Sequence, residues 1–141
     1  EVLEEMRRVP TGTELKAFKM SCISQSVPAN TVAKLVMTAT EYDYAGVADL
    51  AHGRATIVDE GIYHFKLSQN NSYGFYTAFR HYNSGGTLLH TDSSKYGAGV
   101  GECFFHCSAG DYIEAWANNE ADIAQADPKV ALFGYLLCTA E

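Results

Sequence analysis

Basic residues are few in this chain, prolines fewer, and a long apolar run is missing altogether. Ten Lys and Arg stand against seventeen Asp and Glu, a formal net charge of −7. Nucleic acid is therefore not an expected partner, because binding it would lack the counterion release that drives such contacts. No stretch approaches the ~20 apolar residues of a membrane helix, and the first residues are acidic and basic rather than apolar like a secretory leader, so no membrane insertion is expected. No Cys-x-x-Cys pair marks a zinc site, and no His-x-His places two imidazoles on one strand face. His64, His81, His90 and His106 fall singly in different expected strands or strand ends. No Gly-x-Ser-x-Gly elbow or His-Glu-x-x-His motif accompanies them. Without a catalytic constellation, no enzyme and no required cofactor are expected.

What is present is strand signal. Three prolines and twelve glycines among 141 residues suit many short strands joined by tight turns, and nine Tyr with seven Phe are a rich supply for a sandwich core or an interface. Gly61-Ile62-Tyr63-His64-Phe65-Lys66-Leu67 alternates with period two, as does the closing run Leu132-Phe133-Gly134-Tyr135-Leu136-Leu137. The largest side chains of each are expected inside: Tyr63, Phe65 and Leu67 from the first, Phe133, Tyr135 and Leu137 from the second. Gly110-Asp111 opens a third such strand through Trp116. Strands are expected near 15–24, 32–38, 54–58, 62–69, 74–82, 87–90, 102–108, 112–118 and 130–139. The acidic, alanine-rich segment 118–129 fits a short helix or a long loop, and the loop is preferred. The length suits one domain with a core between two sheets.

The residues also resemble a family. A glycine followed by aliphatic-Tyr-x-Phe at 61–65, Gly110-Asp111 opening a strand and Phe133-Gly134-Tyr135-Leu136-Leu137 near the C-terminus are similar to the C1q/tumour-necrosis-factor jelly roll. Val27 to Leu35, Glu41-Tyr42-Asp43 and Arg54 to Ile57 resemble most the C1q-like domains of bacterial and bacteriophage proteins. The resemblance runs from Leu15 to Cys138 and implies an all-β sandwich of two antiparallel sheets that assembles as a homotrimer. Residues 1–14 then read as stalk end and linker, with 15–141 as the jelly-roll domain. Val2, Leu3, Met6 and Val9 form one helical stripe before Pro10 and Gly12 stop it; a frayed terminal helix or a disordered segment fits the same residues. A start at Glu1 rather than Met suggests a fragment or processed product. Cys103 and Cys107, four apart on one strand, lie ~13 Å from each other and cannot bridge. Cys22 and Cys138 fall in the first and last strands, which the resemblance makes neighbours, and would bridge if their registers matched; free thiols are the preferred reading.

The resemblance also implies where assembly and binding occur. The trimer interface is expected at Ile62, His64, Lys66, Leu132, Gly134 and Leu136, with Glu102 or Glu114 as partners for His64 and Lys66. The loops at the far tip carry Asn70, Asn71, Tyr73, Asp92, Tyr96, Asn118 and Asn119, suited to hydrogen bonding and stacking on a ligand, and Glu120, Asp122 and Asp127, suited to calcium. The function implied is a recognition head at the tip of a fibre, on a virion surface or extracellular, binding a cell-surface glycan or protein receptor for host attachment. The alternatives are a structural trimerisation or capping domain of a virion fibre, or a secreted C1q/TNF-like ligand, the last supported by the Asn70-Asn71-Ser72 glycosylation acceptor.

Overall fold

A computed structural model describes residues 15–22, 25–70, 75–93, 99–126 and 129–139; the expected stalk at 1–14 lies outside them. The described residues contain strands and turns and no helix. In chain order the strands are β1 (Ala17–Cys22), β2 (Ser26–Val27), β3 (Thr31–Leu35), β4 (Ala39–Asp43), β5 (Ala48–Asp49), β6 (Arg54–Thr56) and β7 (Gly61–Asn70). They continue with β8 (Phe75–Tyr82), β9 (Leu88–Ser93), β10 (Gly99–Cys107), β11 (Tyr112–Asn119), β12 (Gln125–Ala126) and β13 (Lys129–Thr139). One sheet has the order β10-β7-β13-β1-β4; the facing sheet has the order β5-β6-β11-β8-β9, with β3 also paired to β11. Every pairing is antiparallel. The segment after β11 is a loop whose two-residue strand β12 pairs β2. Strand β4 was not legible in sequence because its residues, Ala-Thr-Glu-Tyr-Asp, are all half or fully exposed on an edge and carry no apolar alternation.

The core lies between the sheets. Phe18 and Met20 of β1, Tyr63, Phe65 and Leu67 of β7, Phe75 of β8 and Ile113 of β11 are shut off from solvent. The expected inward face of β7 is therefore the observed one. Tyr63 satisfies its phenol by donating to the Asp59 carbonyl at 2.6 Å, so the turn ahead of β7 is tied to the core. Burial, with the nearby Asp59 charge, pushes that phenol up to about 12.

β13 has the opposite facing from the one expected. Leu132 is fully buried and Gly134 points inward, with Leu136 packed against the core, whereas Tyr135 and Leu137 are exposed and Phe133 is half-exposed. Leu132, Gly134 and Leu136 thus do not form an outward interface face. Register explains it, because cross-strand partners share a face: Leu132 pairs Leu67 and Met20, and Gly134 pairs Phe65 and Phe18, all of them core residues. The inward space at Gly134 is already filled by those two rings, which meet edge-on with centroids 6.2 Å apart. A Cβ on Gly134 would lie 2.5 Å from Phe18 Cε1 and 2.9 Å from Phe65 Cδ1. The bulky alternation in the sequence is therefore the outer face, and the small residue marks the inner one. A bulge between Leu136 and Cys138 leaves Leu137 unpaired.

All four cysteines are free. Cys22 pairs Val130 and Cys138 pairs Ile62, at opposite ends of β13, so the bridge left open by sequence does not form. Burial pushes the Cys107 thiol up to about 12, and raises Cys103 and Cys22 as well.

Candidate functional site

The outward face of the five-stranded sheet is built by register. Phe104 of β10, His64 of β7, Tyr135 of β13 and Ala17 of β1 are successive cross-strand partners and so stand in one row on one face. Phe104 is 56% and Tyr135 39% exposed, yet His64 between them is only 8% exposed. The imidazole stacks on Phe104 (centroids 4.6 Å) and meets Tyr135 edge-on (5.2 Å). Neither ring nitrogen makes a hydrogen bond, and the nearest carboxylate oxygen, Glu102 Oε1, is 3.5 Å from Nε2. A buried polar group without a partner is costly, so such groups are few in native structures.

Two flanking rows frame this aromatic row. On one side Glu102, Lys66, Phe133, Lys19 and Tyr42 are cross-strand partners, with Lys19 4.9 Å over the Phe133 ring and 3.3 Å from Glu41. On the other side lie His106, Ile62 and Cys138, with Ile62 39% exposed and His106 3.5 Å from Glu60. Of the residues expected at an interface, Ile62, His64 and Lys66 do share this face; its aromatic members Phe104, Phe133 and Tyr135 were missed. The adjacent pair Phe104-Phe105 was the available signal, since neighbours on a strand point to opposite faces and one ring had to face out. Phe105 is the one in the core. Glu114, suggested as a partner for this face, lies instead on the other sheet with Lys34 at 3.2 Å.

The loop ends gather at one end of the sandwich, since Asn70 pairs Lys129, Gln69 pairs Gly99 and Phe75 pairs Asn119. Asn119 is not a ligand-facing group there. It is fully buried, its amide donates to the carbonyls of Val27, Pro28 and Ile123 at 3.0–3.1 Å, and its Oδ1 accepts from Ala121 N at 3.0 Å. Asn119 is a clamp that holds the loop against the β2–β3 turn. Asn118 donates to Glu120 at 3.0 Å and Asn30 to Asp122 at 3.3 Å, while Ile123 is 68% exposed on top of the clamped loop. Among the described residues no group of three His, Cys, Asp or Glu side chains is placed to hold a metal ion. Asp127, Asn71, Tyr73 and Tyr96 lie outside the described residues, as does the side chain of Asn70, and Asp92 is exposed on β9. Asn119→Ala would strand the buried Val27 carbonyl and the buried Ala121 amide and release the Pro28 and Ile123 carbonyls to water, so a stability loss of about 2–3 kcal/mol is expected, read as a lowered thermal melting temperature.

No family model matches this sequence, and no curated protein matches it. Solved structures do match. The globular domain of zebrafish complement 1qA protein aligns with a TM-score of 0.64 at 13% identity, over 90% of this chain and all of that one. The fold is a C1q/TNF-like jelly roll. PRD1 vertex protein P5 aligns equally well, TM-score 0.64 at 12% identity over 86% of this chain and 96% of that one. Eiger TNF from S. frugiperda follows at 0.54 and 15% over 90% and 95%. In the terms of this C1q/TNF-like jelly roll, the sheet that carries the aromatic row is the one holding the first and last strands.

Proposed function

We propose that this domain is the homotrimeric recognition head of a fibre, extracellular or on a virion surface, which binds a cell-surface glycan or protein receptor and catalyses no reaction. One observation carries the assembly half of this reading. His64 is nine-tenths buried, without a hydrogen bond, beneath Phe104 and Tyr135, which remain exposed with Ile62 alongside. Contiguous exposed apolar surface rimmed by charge is the mark of an interface, and a second and third copy would cover the rings while bringing His64 a partner. The assembly face is therefore Ile62, His64, Lys66, Phe104, Phe133 and Tyr135, in place of the inward Leu132, Gly134 and Leu136. The recognition half is supported by the tip, where the Asn119 clamp holds Glu120, Asp122 and Ile123 outward on a loop that is already ordered, so little entropy is lost on binding.

Sedimentation of the chain lacking residues 1–14 tests the assembly: a mass three times that of one chain is expected at micromolar concentration, and a monomer would refute it. A glycan and host-cell binding screen with the same protein tests recognition. A trimer that binds nothing would replace the recognition head by a structural cap.

A further inference from the structure

The outer face of the six-stranded sheet, opposite the proposed assembly face, carries a strip of cations laid on aromatic rings. Tyr82 and Tyr112 are cross-strand partners whose rings stack at 5.0 Å, and the Arg54 guanidinium lies 3.6 Å from the Tyr112 centroid. One step further along the strands Arg80 pairs Glu114, and its guanidinium lies 3.8 Å from the centroid of Trp116. Two of the three cations on this strip have carboxylates. Arg54 is 3.4 Å from Asp49, and Lys34 is 3.2 Å from Glu114 Oε2.

Arg80 is the exception. Its register partner Glu114 is engaged by Lys34 and by the Trp116 indole N–H, which donates to Oε1 at 2.8 Å. Among the described residues Arg80 makes no ion pair, and its Nε is shut off from solvent without a hydrogen bond. In a chain of net charge −7, a guanidinium resting over an indole and left without an anion among the described residues is a preset fork for a carboxylate, to which it would donate two parallel N–H···O bonds. Around it stand half-buried rings, Trp116 on one side and Tyr82 and Tyr112 on the other, with the small Ala78 opposite Trp116 and the exposed Thr91 opposite Arg80. The outer edges of these stacked rings suit the C–H groups of a sugar ring, and hydroxyl groups at the rim suit its oxygens.

We propose that this strip is a binding site for a carboxylate-bearing saccharide, with Arg80 taking the carboxylate and the neighbouring aromatic side chains taking the sugar ring. The proposal goes beyond the recognition-head reading by adding a site apart from the tip loop; it lies within one protomer and does not need the trimer. Trp116 is the only tryptophan in the chain, so its emission reports arrival of a ligand at Arg80. The full chain is titrated with glucuronate, glucose and acetate. A saturable change with glucuronate, absent with glucose and at least about tenfold weaker with acetate, is expected. Arg80→Gln should weaken glucuronate by about tenfold or more, the loss of one charged hydrogen-bonded contact, while Arg80→Lys recovers only part of it. No saturable change in the parent at millimolar glucuronate, or an Arg80→Gln variant that binds as tightly, overturns the site. Acetate equal to glucuronate overturns the saccharide assignment. Sedimentation of the same samples separates the two readings: a monomer that binds glucuronate refutes the trimer alone, and a trimer that does not bind it refutes this site alone.

Discussion

Tyr135→Lys is expected to convert the proposed trimer to monomers, dropping the sedimenting mass threefold to the 15.4 kDa of one chain while leaving the far-ultraviolet circular dichroism of the sandwich unchanged. In the isolated protomer Tyr135 is 39% exposed on the outer face of β13, where a lysine reaches water and costs little. In the proposed trimer the same position would be covered, and each subunit would bury an ammonium in a row that already holds His64 and lies next to Lys66 and Lys19. No carboxylate is registered to Tyr135, whose partners are His64 and Ala17, so desolvation is uncompensated at three sites at once. Melting should become independent of protein concentration, because the mass-action contribution of subunit association is gone. A variant that still sediments as a trimer would remove this face from the interface.

Gly134→Ala is expected to be severely destabilising although it adds one methyl group. The new carbon would lie 2.5 and 2.8 Å from Phe18 Cε1 and Cζ and 2.9 Å from Phe65 Cδ1, closer than real side chains approach. Both rings are fully buried in one cluster with Met20, Tyr63 and Leu132, and close-packed interiors yield little to an added carbon. Overpacking of this kind costs about 2–3 kcal/mol, which for a chain of this length lowers the melting temperature by roughly 10 °C. Phe133→Ala on the opposite face is the control: it removes six heavy atoms but opens no cavity in the core, so its effect in the monomer should be small. If Gly134→Ala melts like the parent, β13 faces as the aromatic alternation in the sequence first suggested, and the assignment of its outer face is wrong.

The two variants address the same ambiguity, which is where sequence and structure part. Alternation in Gly61–Leu67 named the buried side of β7 correctly, because its inward residues are the bulky ones and its outward residues, Ile62, His64 and Lys66, include a charge. The same period in β13 offered two faces, both apolar, and sequence offered no charge to choose between them. The choice went to the larger side chains, whereas close packing allots space to a position according to what its neighbours already fill. Phe18 and Phe65 fill the space at Gly134 from the two flanking strands, and those strands are 116 and 69 residues away in the chain.

The tip divides in the same way. Asn118 and Asn119 are chemically identical, and sequence placed both in a ligand-facing loop. Period two puts them on opposite faces of β11, and the one that turns inward meets the carbonyls of Val27 and Pro28, which only the tertiary fold brings there. The absence of zinc and hydrolase motifs, the strand-rich character, the core face of β7 and the jelly-roll resemblance were determined by the residues themselves, because they depend on local period and composition. The facing of β13, the outward aromatic row around His64, the separation of Cys22 from Cys138 and the unpaired Arg80 were decided by register between strands distant in the chain. Register depends on which side chains share a space, and that is a property of the folded chain rather than of any one segment.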